Sequence, residues 1–326
     1  MNPDILITEK IIGPAVDDLR RSFVVDADPE LWKNPEQLTA RLRGCRALIV
    51  RNQTRVTADL MAAAPQLRVI GRAGAGLDNI DVRAASAAGI VVVSTPDQNS
   101  LSVAELVLAM MFALARQLTV ADRSTKQGGW ERQKFTGIEL SGRTLGLVGL
   151  GRIGFLTGLR ARALGMRVIA HDSYVSPDVA AVTETQAELV SLDDLLARSD
   201  FVSCHLPLTP QTRGMFAYER FCQMKPSAYF LNLARGELVD EAGLNRALEE
   251  GRLAGAALDV REQEPPGPSP LSGRDDVILT PHIAAFTREG QSRVVAAVCR
   301  DVASVLAGET PRNYVNFPRP PAGTRT

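Results

Sequence analysis

Six residues, Gly149-Leu-Gly-Arg-Ile-Gly154, narrow the possible folds of this chain more than anything else in it. They follow an apolar β-type run at residues 144–148 and precede a helical pattern at 155–164 that Gly165 ends. The first glycine permits a tight turn, the second lets backbone approach a pyrophosphate, and the third lets helix and strand pack closely. The phosphates would rest on the helix N-terminus, near the N–H groups of Arg152 and Ile153. Asp172 ends the next apolar run, where a carboxylate can accept both ribose hydroxyls and repel a 2′-phosphate. The expected cofactor is therefore NAD, held by Gly149, Gly151, Arg152, Ile153, Gly154 and Asp172.

Around this motif, short β-branched runs alternate with helical patterns, which implies parallel sheets with crossover helices. Runs at residues 5–8, 47–50, 67–70 and 90–93 form one set. Runs at 144–148, 167–170, 201–204, 229–232, 255–258 and 277–280 form a second set of six, suited to a dinucleotide-binding sheet. Between the sets, Ser102 stands three residues before Glu105 at the head of an apolar stretch, the spacing of a helix capping box. A last helical pattern at 289–307 has no strand left to serve in the second set, so it is expected to return to the first domain. Pro311, Pro318, Pro320 and Pro321 then break the helix. The fold class is α/β, with two doubly wound parallel-sheet domains. Residues 1–98 and 286–326 form a discontinuous domain, and residues 99–285 form the NAD-binding Rossmann domain.

Charge excludes some partners. Lysine plus arginine equals aspartate plus glutamate at 37 each, so no long-range field steers the chain to nucleic acid or an anionic membrane. Cys45, Cys204, Cys222 and Cys299 lie far apart, a spacing of neither a disulfide framework nor a zinc site. No metal is expected, and a cytoplasmic location is. The acidic N-terminus does not read as a signal peptide. The apolar stretch at 103–115 falls short of the roughly 20 residues that span a bilayer and reads as a buried helix.

Histidine occurs only at positions 171, 205 and 282. His282, in Thr280-Pro-His-Ile, follows the last strand of the second set, and open parallel sheets hold ligands at strand C-terminal ends. His171 adjoins the adenosine site, and His205 before Pro207 suits a lining or structural role. Arg235, in Asn232-Leu-Ala-Arg-Gly, ends another strand, and Glu264 follows the next. A guanidinium grips a carboxylate through two parallel hydrogen bonds, and a nearby carboxylate stabilises an imidazolium for acid-base work. Arg235, Glu264 and His282 are thus the candidate catalytic set for hydride exchange at carbon 2 of a small 2-hydroxy or 2-oxo acid.

Over essentially its whole length the chain resembles the D-isomer-specific 2-hydroxyacid dehydrogenases, most of all their phosphoglycerate branch. The matching segments are Gly71-Arg-Ala-Gly-Ala-Gly-Leu-Asp-Asn-Ile-Asp81, Asn99-Ser-Leu-Ser-Val-Ala-Glu105, the glycine motif, Asn232-Leu-Ala-Arg-Gly-Glu-Leu-Val-Asp240, Ala257-Leu-Asp-Val260 with Glu264-Pro, and Pro281-His282. The resemblance implies a Rossmann domain inserted into a flavodoxin-like substrate domain. It implies that Arg235 binds the substrate carboxylate and carbonyl, that Glu264 pairs with His282, and that His282 exchanges the proton. It also implies that Ala73 and Gly74 offer backbone donors to the carboxylate, Arg51 and Asn52 face the substrate, and Asp259 meets the nicotinamide carboxamide. Leu206, Pro207 and Ala234 would line the cofactor.

Arg51 and Arg72 end strands of the first domain, and Arg132 matches a basic position of the phosphoglycerate branch, so a three-carbon acid with a distal anion is favoured. The resemblance and the apolar helix together imply a homodimer. Arg261 stands where the branch commonly carries an aromatic, and Ala284-Ala-Phe-Thr287 departs from its usual Gly-Ala-Ser-Thr. The long regulatory extension of many members is not expected. Two alternatives stay open: a hydroxypyruvate or glyoxylate reductase, and a noncatalytic NAD-sensing corepressor-like binding protein on the same fold.

Overall fold

A computed structural model describes residues 3–317; Pro318, Pro320 and Pro321 lie outside the described residues. The chain forms two compact units, one from the residues up to Asn99 with those from Thr287 onward, the other Ser100–Phe286.

The first unit carries β1 (Ile5–Ile7), β2 (Val25–Ala27), β3 (Ala47–Val50), β4 (Val69–Arg72) and β5 (Val91–Val93), all parallel, in the order β2-β1-β3-β4-β5. This is the flavodoxin-like order. Helices α1 (Pro14–Ser22), α2 (Pro35–Leu42), α3 (Ala58–Ala62) and α4 (Val82–Ala87) connect the strands. The side chains of Asn34, Thr57 and Asp81 accept N–H groups at the starts of α2, α3 and α4. β1 and β3 are buried throughout because helices cover both faces, which is why they read as unbroken apolar runs.

The sequence pattern showed four strands here and the structure has five. β2 is a half-exposed edge strand of Val, Asp and Ala, and Arg41 pairs with its Asp26 at 2.6 Å and with Asp28 at 2.7 Å. Edge strands are kept short and charged to discourage further pairing, which removes the hydrophobic signal.

The second unit opens with α5 (Ser100–Ala115) and α6 (Leu118–Lys126), followed by β6 (Thr144–Val148), α7 (Arg152–Ala163), β7 (Arg167–His171), α8 (Ala180–Thr185), β8 (Glu188–Leu189), α9 (Leu192–Arg198), β9 (Phe201–Cys204), α10 (Tyr218–Cys222), β10 (Tyr229–Asn232), α11 (Glu241–Glu249), β11 (Gly255–Leu258) and β12 (Val277–Leu279). The parallel sheet runs β12-β11-β10-β9-β6-β7-β8. Strand order therefore reverses between β6 and β9, the crevice where doubly wound sheets bind dinucleotides. It has seven strands where six were expected; β8, two residues at the edge, is too short to show a period.

α5 is mostly buried and packs on α7, β10 and β11. The expected capping box is corrected: the helix starts at Ser100, so Ser102 is its third residue and buried. A capping residue must lie outside the helical backbone. Finally α12 (Arg288–Leu306) packs on α1, β4 and β5 of the first unit, seating Val294, Val298 and Val302 in its core. Among the described residues no single helix is long and apolar enough to cross a membrane, although α5 and α6 together, bent by 61°, match one by length and composition.

Candidate active site

The glycine motif joins β6 to α7 at the reversal point. Gly149 has φ +97°, and a Cβ there would stand 2.9 Å from the His205 carbonyl oxygen after β9. A Cβ on Gly154 would stand 2.3 Å from the Gly149 carbonyl oxygen, whereas one on Gly151 would meet nothing within 4 Å. The first and third glycines thus close the loop, and the second leaves its backbone open to a ligand. Gly151 is the N-cap of α7 and supplies no side chain to cap it, so the first N–H groups face outward, as a pyrophosphate requires.

Asp172 Oδ2 accepts the Leu150 N–H at 2.8 Å, and Oδ1 accepts that of Tyr174 at 2.9 Å. The carboxylate is therefore tied to the glycine loop. Burial pushes the His205 imidazole down to about 4, and its Nε2 lies 3.0 Å from Ser203 Oγ. It stays neutral under ordinary conditions and is no rival proton donor to His282. Leu206 reaches the same loop, 3.2 Å from a Cβ on Gly149. The adjoining turn is closed by Thr212 Oγ1 donating to the Pro207 carbonyl at 2.7 Å. These residues fit a dinucleotide.

Three strands along, the loops after β10, β11 and β12 bring together the titratable set. His282 Nδ1 lies 2.7 Å from Glu264 Oε2, and the Arg261 N–H holds Glu264 Oε1 at 3.1 Å. Burial pushes the Glu264 carboxyl up. The hydrogen bond and charge of His282, the Arg261 N–H and the Arg235 charge outweigh it, leaving the carboxyl below its ordinary 4.5. What this interaction adds to stability is present above that ordinary value and is lost as pH falls through the lower folded one.

His282 has φ +56°, a left-handed backbone that costs a non-glycine residue about 1 to 3 kcal/mol. Asp259 holds it there. Its buried carboxylate accepts Thr280 Oγ1 at 2.6 Å and the N–H groups of Ile283 and Ala284 at 2.8 Å each, and its carbonyl accepts the His282 N–H at 2.8 Å. The residue expected to face the nicotinamide carboxamide therefore also shapes the histidine loop.

Arg235 is half-buried and donates to the Ala234 carbonyl at 2.7 Å. Asn232 shapes its loop, accepting the Ala234 N–H at 3.1 Å and donating to the Arg235 carbonyl at 2.8 Å. A Cβ on Gly236 would fall 1.8 Å from the Arg261 carbonyl oxygen, so the β10 and β11 loops touch backbone to backbone. Sequence reasoning missed Asn232, although an asparagine followed by a turn is a recognisable Asx pattern.

In the first unit, Glu9 is buried and accepts the N–H groups of Arg51 at 2.8 Å, Gln53 at 3.2 Å and Thr54 at 3.0 Å, fixing the loop that presents Asn52. The Arg51 guanidinium donates to the Lys10 carbonyl at 3.3 Å and to Gln291. Ala73 and Gly74 follow β4 directly. The Ala73 N–H donates to the Val50 carbonyl at 2.8 Å, continuing the β3–β4 ladder, and the Gly74 N–H donates to the Arg72 carbonyl at 2.9 Å, so both N–H groups expected to meet the substrate carboxylate have partners within the chain. Arg132 lies exposed in a 3₁₀ turn, Arg132–Phe135.

These features define a class: a doubly wound dinucleotide-binding sheet whose carboxyl edge carries a histidine–carboxylate couple and an arginine. The model of the D-isomer specific 2-hydroxyacid dehydrogenase NAD binding domain matches residues 108–284, more than half the chain. A D-3-phosphoglycerate dehydrogenase from Archaeoglobus fulgidus is 44% identical over 315 residues, 96% of this chain and 59% of that protein. The chain thus spans about six tenths of the length of such curated relatives. A glyoxylate reductase from Paecilomyes thermophila superposes with a TM-score of 0.85 at 31% identity, covering 95% of this chain and 97% of the other. A D-lactate dehydrogenase from Aquifex aeolicus, complexed with NAD and lactic acid, gives 0.84 at 29%, covering 97% and 100%. The chain belongs to the D-isomer specific 2-hydroxyacid dehydrogenase family.

Proposed function

We propose that this chain is an NAD-dependent dehydrogenase of a small D-2-hydroxy acid, with residues 99–285 as its cofactor domain and the remainder as its substrate domain. The observation that carries the reading is the His282–Glu264 couple on the same sheet edge as the glycine cradle. Glu264 occupies Nδ1, so Nε2 of His282 exchanges the proton with the oxygen on carbon 2, taking it during oxidation and returning it during reduction. Arg235 fixes the substrate carboxylate with its planar fork. NAD, held by Gly149, Gly151, Gly154 and the start of α7, supplies the two-electron acceptor. A homodimer in the cytoplasm completes the reading, on the family resemblance.

D-3-Phosphoglycerate is the favoured substrate, supported by the 44% identity to a relative of that name and by Arg72 and Arg132. Hydroxypyruvate or glyoxylate is the second reading. It is favoured by the Arg51 guanidinium, which already bonds Lys10 and Gln291. Steady-state kcat/KM for 3-phosphohydroxypyruvate, hydroxypyruvate and glyoxylate, each with NADH and NADPH, separates them. NADH is expected to exceed NADPH at least tenfold, because Asp172 opposes a 2′-phosphate. Higher efficiency on the unphosphorylated acids gives the second reading, and no turnover with these or any other 2-oxo acid would give the NAD-sensing binding protein.

Glu264→Gln is expected to displace the alkaline limb of the reduction profile toward lower pH, since a neutral amide no longer stabilises imidazolium. An unmoved profile removes Glu264 from the chemistry.

A further inference from the structure

We propose that the part-buried Arg261–Glu241 ion pair is a positioning device that sets the Glu264 carboxylate against His282. The inference rests on the catalytic reading above and adds to it two residues outside the reacting set. Arg261 Nε and Nη2 donate to Glu241 Oε1 and Oε2 at 2.9 and 2.6 Å, a two-pronged fork, and Arg261 is only 8% exposed. Glu241 Oε1 also accepts the Glu262 N–H at 2.9 Å. One carboxylate at the start of α11 thereby clamps both the side chain and the following peptide of the segment after β11.

The clamped residue is the one whose own N–H holds Glu264 Oε1 at 3.1 Å, while Glu264 Oε2 faces His282 at 2.7 Å. The segment runs on from buried Val260. It borders a cavity of about 530 Å³ lined by Glu241, Arg261, Glu262 and Pro266 among others. The charged groups around Glu264 are His282 opposite it and Arg235 from the β10 loop; the Asp259 carboxylate accepts the N–H groups of Ile283 and Ala284. Arg261 therefore acts on His282 through the placing of Glu264, and a guanidinium is required because an ammonium cannot form the fork.

Two variants test this. Arg261→Lys keeps the buried charge and loses the fork; Glu241→Gln with Arg261→Met removes both charges, so neither is left buried and unpaired. Both are expected to lower kcat for 2-oxo acid reduction about five- to tenfold and to move the alkaline limb part of the way toward that of Glu264→Gln. NADH affinity should stay within about twofold of wild type, an allowance that additivity of distant sites supports. Introduced into Glu264→Gln, Arg261→Lys should change kcat less than about twofold, because the group it places is gone. Folded variants with the wild-type pH profile, or full additivity in the Glu264→Gln background, overturn the proposal. If Glu264→Gln itself leaves the profile unmoved, it is the catalytic reading that fails.

Discussion

His282→Ala is expected to lower kcat for 2-oxo acid reduction by about 10²- to 10⁴-fold, the usual worth of a positioned general acid or base, and to leave NADH affinity nearly unchanged. The separation follows from the sheet. His282 follows β12, at the far end of the strand order from the β6–β9 reversal where the glycine loop lies, so removing the imidazole leaves the dinucleotide cradle intact. The loop should also keep its course, because Asp259 binds the N–H groups of Ile283 and Ala284 rather than the histidine ring. Steady-state kinetics with NADH fluorescence titration measures both quantities. A folded variant turning over within a few-fold of wild type would mean that another group carries the proton.

Gly154→Ala is expected to weaken NADH binding about 10- to 100-fold. Its Cβ would lie 2.3 Å from the Gly149 carbonyl oxygen, and backbone cannot swing aside as a side chain can. Overpacking of this kind costs about 1 to 3 kcal/mol, and each 1.4 kcal/mol is about a factor of ten in affinity. Gly151→Ala is the informative companion. Its Cβ meets nothing within 4 Å, so it leaves the loop undisturbed, and any loss of NADH affinity there reports on ligand backbone approach alone. If Gly154→Ala binds NADH as wild type does, the cofactor does not depend on the closed loop.

Much of the fold was legible because its signals are local. The runs at 47–50 and 144–148 are apolar without alternation, as parallel strands covered on both faces must be, and Gly149 to Gly154 carries its turn chemistry within six residues. Edge strands were not legible: Val25-Asp26-Ala27 and Glu188-Leu189 answer to solvent and to strand pairing, and neither requirement leaves a hydrophobic period. Ser102 and Glu105 had the spacing of a capping box, but the backbone entered the helix at Ser100 and buried Ser102 in it. Spacing alone does not tell a helix start from its first turn.

The candidate catalytic set divides in the same way. By itself the sequence determined the parallel-sheet class, the glycine loop with Asp172, and the strand-end positions of Arg235, Glu264 and His282, since each depends on neighbours a few residues away. Only the tertiary structure decided which polar groups hold them. Glu9 is bonded to a loop more than 40 positions on, Asp259 to the loop of His282, and Arg261 to Glu241, 20 positions before it. It also gave the Ala73 N–H to the Val50 carbonyl of β3 and the Gly74 N–H to the Arg72 carbonyl. The physical reason is that a buried carboxylate or N–H group must find a partner wherever the packed chain supplies one, and that partner is set by the crossing of loops in space, which no spacing along the chain records.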